Sequence, residues 1–268
     1  MVATPIGNLE DISARALRIL GEVALIAAED TRTTRVLLDR YGISTPMQAV
    51  HDHNERGVAD RLVGRMNAGD SIALVSDAGT PLISDPGFHL VAAARAAGLR
   101  VQPIPGPCAG IAALSVAGLA SDRFCFEGFL PPKSGPRRAR LDALVGEERT
   151  LLFYESSHRI ADCVDDLVAV FGADRKAMVA REMTKRFETL MGSTLADIAQ
   201  AVASDADQSR GEFVIVVAGN PDSEAASLAE GRRLYAALSR ELPPSRAAKI
   251  AAELSGAPKR ALYRSPEH

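Results

Sequence analysis

The segment Val75–Gly87, VSDAGTPLISDPG, runs an apolar strand into two turns built on Asp77 and Asp85. Its small residues Ser76, Ala78, Gly79 and Ser84 let the backbone come close to a ligand, and glycine admits the positive φ that such turns often need. Pro81 and Pro86 remove donors and stiffen the loop. The chemistry this suits is cofactor binding, because open α/β sheets hold cofactors at the C-terminal ends of their strands. An ordinary strand-to-helix turn is the plainer alternative. Polar loops also follow the other apolar runs: Thr4–Asn8, Glu29–Arg32, Pro105–Gly110, Phe153–Arg159 and Arg181–Lys185. Thr4–Asn8 lacks the GxGxxG of a dinucleotide fold. Such loops at the strand ends of two adjoining domains describe a cleft between them. His51 and His53 flank Asp52 without further ligands at metal spacing, so this reads as a polar loop and no metal is expected.

The elements that must position these loops alternate over the first 118 residues. Strand runs at Val2–Ala3, Val23–Ala28, Met47–Val50, Ser71–Val75 and Val101–Ile104 are separated by helical patterns at Asp11–Leu20, Thr31–Tyr41, Arg56–Met66, Phe88–Ala97 and Ala109–Ala117. This spacing predicts a mainly parallel sheet covered on both faces. Beyond Ala120 a second α/β domain is expected. Its strands are Phe124–Gly128, Thr150–Tyr154, Ala177–Arg181, Phe187–Gly192 and Glu212–Ala218, with helices at Arg138–Val145, Ala161–Phe171 and Leu195–Ala203. The expected division is 1–118, 119–220 closed by Asn220–Pro221, and a helical basic tail over 221–268.

At 268 residues the chain is long enough for a large core. A mean hydropathy of +0.01 fits a soluble protein, and no run approaches the ~20 apolar residues of a membrane span. The start, MVATPIGNLEDIS, has no basic region leading into an apolar one, so no secretory signal is expected. Cys108, Cys125 and Cys163 form no CxxC, which fits a reducing cytoplasm without disulfides or zinc. The net charge of −3 is uneven: beyond Gly231, eight basic residues face three acidic ones, a balance of +5. Lys133, Arg137, Arg138 and Arg140 form a second basic cluster. Basic patches on an acidic chain suggest a polyanionic partner, with solvated helix faces as the alternative.

Taken in order, VATPIGNLEDIS, AEDTRTT, HNE, VSDAGTPLISDPG, PIPGPCAG, FEGFLPP, FYESSHRI, AREMTKRFE and GEFVIVVAG resemble the tetrapyrrole methylase superfamily. More closely, they resemble its ribosomal small-subunit RNA methyltransferase I branch. The resemblance covers Val2 to about Gly219 and continues more loosely through LPPSRAAKIAAELSGAPKRALYR. The family's first strand begins several residues before the position of Met1, so a shortened first strand is expected.

The resemblance implies two α/β domains with an S-adenosylmethionine cleft between them and a small C-terminal helical segment. It implies methylation of a cytidine ribose 2′-oxygen in 16S rRNA within the 30S subunit, by a cytoplasmic homodimer. Asp77, Ala78, Gly79, Thr80 and Ile83 match the central cofactor loop, Pro105, Gly106, Cys108 and Ala109 the second, and Tyr154, Met183 and Phe213 the second-domain wall. For Cys108, Met183 and Phe213 a core role is an open alternative. A ribose hydroxyl needs a positioned base, for which Asp30, Glu155, Glu182 and Lys185 are candidates. Arg32 and Arg181 are placed to hold phosphate, and Arg246, Lys249, Lys259 and Arg260 to bind RNA. Two other readings are methylation of a corrin or porphyrin precursor, and a non-catalytic nucleic-acid binder. The binder would use Ser245–Tyr263 as a helix-turn-helix, capped by Ser245 and turned at Gly256.

Overall fold

Short apolar β-branched and leucine-rich runs, each stopped by glycine or a polar cap, set the elements of this computed structural model, which describes residues 1–220 and 223–263. Pro221 of the expected closing turn, and Arg264 and Glu267 of the basic tail, lie outside the described residues. By internal contacts the chain divides into one unit of Met1–Ala112 with Glu182–Thr189, and another of Ala113–Arg181 with Leu190–His268. This division differs from a break near Gly118: it falls inside a helix, and the segment after Arg181 goes with the first unit.

In the first unit the elements run α1 (Ala14–Glu22), β1 (Leu25–Ala28), α2 (Thr31–Arg40), β2 (Met47–Ala49), α3 (Glu55–Asn67), β3 (Ile72–Val75), α4 (Phe88–Ala96) and the start of α5 (Ala109–Val116). The three strands are parallel in the order β2-β1-β3. Ser13 caps α1 and Asp30 caps α2, each accepting a backbone N–H of the first turn. Alternate strand residues face opposite ways. Ile26, Ala28, Ala73 and Val75 pack with Leu20, Leu37 and Leu38 of α1 and α2. Leu25, Ala27 and Leu74 pack with Leu62 and Leu90 of α3 and α4. Both faces are covered, as a parallel sheet requires.

Val2–Ala3 and Val101–Ile104 do not form full strands. Val2 N donates to Leu74 O at 2.9 Å, Ala3 N to Ile104 O at 3.3 Å and Ile104 N to Met1 O at 2.8 Å, so the ladder continues by single bridges. Pro103 and Pro105 have no N–H, which leaves Ile104 as the donor between them.

In the second unit follow β4 (Phe124–Phe129), α6 (Ser134–Asp142), β5 (Thr150–Ser156), α7 (Ile160–Phe171), β6 (Ala177–Arg181), β7 (Thr189–Met191, begun in the first unit), α8 (Leu195–Ser204) and β8 (Glu212–Val217). The sheet order is β4-β5-β8-β6-β7, with β4 parallel to β5, and β8 antiparallel to β5 and β6. Leu151, Phe153, Phe213, Ile215 and Val179 bury one face against Leu141, Leu167, Leu195 and Ile198 of the helices. A bulge between Phe126 and Gly128 puts Phe126 opposite Leu152 and Phe129 opposite Tyr154. The extra residue restores both rings to one face, and both lie edge-on to Tyr154.

The C-terminal helices α9 (Ser223–Leu238) and α10 (Pro244–Ser255) close over Ala251, Ala257 and Leu262. Ser245 is not the N-cap: Pro243 holds that place and Pro244 opens the helix, where a missing N–H costs nothing. Gly256 ends α10 at φ +75°, at the turn the sequence predicts, in the left-handed conformation that glycine admits.

Candidate functional site

The strand-end loops of the first unit are stitched to one another by their backbones. Thr4 N donates to Gly79 O at 2.8 Å and Gly79 N returns a bond to Thr4 O at 3.1 Å. The buried Thr4 hydroxyl donates to Ser76 O at 3.2 Å. Thr80 Oγ1 donates to Pro107 O at 2.9 Å, which ties the central loop to Pro105–Gly110. Gly79 has φ +82°, and a Cβ there would lie 3.3 Å from Ile6 Cγ2. At Gly106 a Cβ would come within 2.8 Å of Ala3 Cβ. Gly79 therefore answers to conformation and to close packing, and Gly106 to close packing alone. Leu82 at φ +75° and Ser84 at φ +68° are left-handed without being glycine. Such conformations cost energy and persist where the surroundings fix them.

Carboxylates gather at the ends of β1 and β3. Asp77 N donates to Glu29 Oε2 at 3.2 Å, and Asp30 N donates to Asp77 Oδ1 at 3.0 Å, a reciprocal latch between the two strand ends. Burial raises the pKa of Glu29 and of Asp77, and their neighbouring carboxylates add to it. Asp85 is half-buried and pushed up to about 6: burial is the main cause, Glu29, Asp77 and Asp52 reinforce it, and a hydrogen bond from Ser76 opposes it. Asp30 goes the other way. Its carboxylate accepts from the Arg32 side chain and backbone and is held down to about 2.

Glu182–Thr189 forms a strap against the loop Thr4–Asn8. Asn8 N donates to Thr184 Oγ1 at 3.0 Å. A Cβ on Gly7 would lie 2.6 Å from Lys185 Cγ and 2.8 Å from Thr184 Oγ1. Lys185 Nζ pairs with Glu182 Oε1 at 2.9 Å, and Glu182 (φ +49°) and Thr184 (φ +64°) are both left-handed. This strap is why the strand predicted over Phe187–Gly192 begins only at Thr189.

Of the residues predicted from sequence, Asp30, Asp77–Thr80, Ile83, Pro105, Gly106, Cys108, Ala109, Met183, Glu182 and Lys185 thus belong to the first unit. Tyr154, Glu155, Arg181 and Phe213 belong to the second. Phe213 is packed in the core of that unit. Glu155 is sealed from solvent, accepts from Ser156 N at 2.8 Å and pairs with Arg159 at 3.1 Å. Arg181 is buried and its Nε donates to Arg210 O at 2.6 Å. Arg32 is exposed on Asp30, Arg246 and Lys249 are exposed on α10, and Lys259 and Arg260 are exposed on the 3-10 turn Lys259–Tyr263 that follows it. From sequence Asp85 reads only as a turn residue; the signal of its site role is a carboxylate set among Ser84, Pro86 and Gly87, where the turn draws it inward.

The cluster Lys133–Arg140 is not uniform in its surroundings. Arg137 is 2% exposed, with Nε on Asp166 Oδ2 at 2.6 Å and Nη atoms on Pro132 O and Asp162 O. Arg138 shares Asp166, and Arg140 pairs with Glu127. Arg137 thus ties α6 to α7 and is withdrawn from any charged surface, whereas Lys133 and the ion-paired, half-exposed Arg138 and Arg140 remain at the surface.

Comparison with known proteins extends this picture. Residues 1–199 match the family "Tetrapyrrole (Corrin/Porphyrin) Methylases", and residues 225–264 match the "RsmI C-terminal HTH domain". "Ribosomal RNA small subunit methyltransferase I" of Xylella fastidiosa is 61% identical, over 98% of this chain and 96% of that protein. The protein of the same name in Pseudomonas aeruginosa is 55% identical, over 98% and 94%. Among solved structures, the methyltransferase CobJ superposes with a TM-score of 0.59 at 18% identity, covering 81% of this chain and 92% of that one. Among the described residues no helix is long and apolar enough to cross a membrane.

Proposed function

We infer the function from this premise: the chain belongs to the tetrapyrrole methylase family and, within it, to the small-subunit ribosomal RNA methyltransferases I. It is a methyltransferase of small-subunit rRNA. We propose that it uses S-adenosylmethionine to methylate a cytidine ribose 2′-oxygen of 16S rRNA in the 30S subunit, in the cytoplasm and as a homodimer. The observation that supports this most is the identity to the small-subunit rRNA methyltransferases along nearly the whole chain.

The residues present fit a sulfonium cofactor. Asp77–Thr80, Ile83, Pro105, Gly106, Cys108 and Ala109 would hold it through small side chains and backbone groups, and Met183 would line it from the strap. The carboxylates of Glu29, Asp77 and Asp85 suit a cationic ligand with an ammonium and a sulfonium group. Tyr154 and Phe213 are assigned to the same ligand by resemblance. When bound, the sulfonium supplies an electrophilic methyl group for in-line displacement by the ribose oxygen.

Among the four candidate bases we favour Glu182, positioned by Lys185. Asp30 is committed to Arg32 and to capping α2, and a carboxylate near pKa 2 is a poor proton acceptor. Glu155 is sealed in the second unit. Glu182 is partly exposed on the strap that rests on Gly7 and Asn8, and it would take the 2′-hydroxyl proton as the oxygen attacks. Arg32 would hold phosphate and Arg246, Lys249, Lys259 and Arg260 would attract the RNA backbone, whereas Arg181 is buried with its Nε on Arg210 O and does not suit that role. The aromatic stripe of Phe124, Phe126 and Phe129 on the edge strand β4 offers an apolar face to a second copy of the chain.

Calorimetry with S-adenosylmethionine, followed by methyl incorporation into 30S subunits against precorrins, tests the reading. Gly79→Val should abolish cofactor binding in a folded protein, since a β-branched side chain has no room beside Ile6 and no ease at φ +82°. Glu182→Gln should lower kcat by about 100-fold or more while leaving cofactor affinity intact. Incorporation into precorrins alone would replace this reading by the tetrapyrrole one.

A further inference from the structure

The strap Glu182–Thr189 carries more than the Glu182–Lys185 pair. Its tip exposes Phe187, 63% accessible, with the Arg186 guanidinium 5.5 Å from the ring centroid. An exposed phenyl ring on a loose loop would be unremarked, but this loop is fixed at many points. Thr184 Oγ1 accepts from Asn8 N, and Thr184 N donates to Glu188 Oε2 at 2.6 Å. Lys185 N donates to Glu182 O at 3.0 Å, and Glu188 N donates to Lys185 O at 3.1 Å. The Thr189 hydroxyl donates to Phe187 O at 3.1 Å. Two left-handed non-glycine residues are maintained to keep this shape. The same strap rests on Gly7 and Asn8, and their loop is bonded through Thr4 to Gly79 of the central loop.

We propose that Phe187 is a substrate-positioning residue: its ring stacks on an unpaired base of the RNA next to the target nucleotide, while Arg186 beside it contacts phosphate. The proposal rests on the reading of the substrate as RNA. Proteins recognise unpaired RNA by stacking splayed bases on aromatic rings and guanidinium planes, and every base has a face to offer. A preorganised ring makes such a contact without the cost of ordering a loop. The arginine over the ring adds a cation to the same surface, which suits a stacked base with a phosphate attached.

The test compares Phe187→Ala and Phe187→Tyr with the parent by steady-state methylation of 30S subunits, with S-adenosylmethionine binding and light scattering on each variant. The expected result for Phe187→Ala is a KM for the RNA substrate raised on the order of tenfold. Phe187→Tyr should restore it, and cofactor affinity and oligomeric mass should not change. An unchanged KM in Phe187→Ala overturns the proposal, as does an equal rise in both variants. A change in oligomeric mass would make the ring a protein contact instead. A parent enzyme that neither methylates nor binds rRNA would overturn the RNA reading itself, and this proposal with it.

Discussion

The arginines of α6 and the basic residues of the C-terminal helices are both dense runs of positive charge, yet they stand in opposite surroundings. Arg137 is buried on Asp166 with its remaining donors on backbone carbonyls, Arg138 shares the same carboxylate, and Arg140 has Glu127. Arg246, Lys249, Lys259 and Arg260 face solvent, and Lys249 comes no closer than 3.9 Å to Glu253. The carboxylates divide in the same way. Burial opposes ionisation of Asp166, but hydrogen bonds from Arg138, Arg137 and Ser134 outweigh it and hold its pKa low. Asp85, half-buried among other acids, is pushed up to about 6. What a charge does is decided by its partner, and partners come from distant parts of the chain.

The sharpest way to break this comparison is to remove one member of each set. Arg137→Ala leaves Asp166 buried without its main partner and should cost about 3–5 kcal/mol in urea unfolding. Neutralising Arg246, Lys249, Lys259 and Arg260 together should leave the unfolding midpoint unchanged. That variant should instead bind 30S subunits roughly ten- to a hundredfold more weakly at low salt, with a log–log salt slope reduced by about 0.7–0.9 for each lost phosphate contact. Equal salt slopes for variant and parent would make the tail a solvated face and nothing more.

Smaller effects sharpen the carboxylate half. Asp85 has its folded-state pKa raised from 3.8 to about 6, so the folded protein binds the extra proton. Its contribution to stability is fully present below about pH 4 and lost as the pH rises through 6. Asp85→Asn, which carries no charge at any pH, should therefore be more stable than the parent at pH 7.5. The gain should be about 1–2 kcal/mol, after allowance for solvent screening of a half-buried group. The gain should vanish near pH 4, as followed by thermal unfolding across that range. Arg138→Ala should cost least, under about 1 kcal/mol, because half of that side chain is in water and Arg137 remains on Asp166.

Much of the framework can be read from residue order. The apolar runs of β1, β3, β5, β6 and β8 lie close to the predicted spans, because strands buried on both faces leave near-continuous hydrophobic segments. The polar loop after β1 and the small-residue loop after β3 do meet at one end of their sheet, a consequence of parallel strands. Three features were not legible. The partner of Arg137 lies 29 residues away, and no local pattern announces it. Only the end of the strap, from Phe187, reads as strand, and the left-handed turns and the bond to Asn8 that shape the loop before it depend on a segment 176 residues earlier. Asp85 needed the fold of its own loop to acquire acidic neighbours. Tertiary contacts decided all three.

The central claim is ribose methylation of small-subunit RNA, and the most direct measurement locates the transferred methyl group. Under-methylated 30S subunits would be incubated with the protein and methyl-labelled S-adenosylmethionine, and the 16S rRNA then digested to nucleosides. The account predicts label in 2′-O-methylcytidine, lost in Glu182→Gln. Label in a base-methylated nucleoside, or none in rRNA while a corrin or porphyrin precursor is labelled, would contradict it.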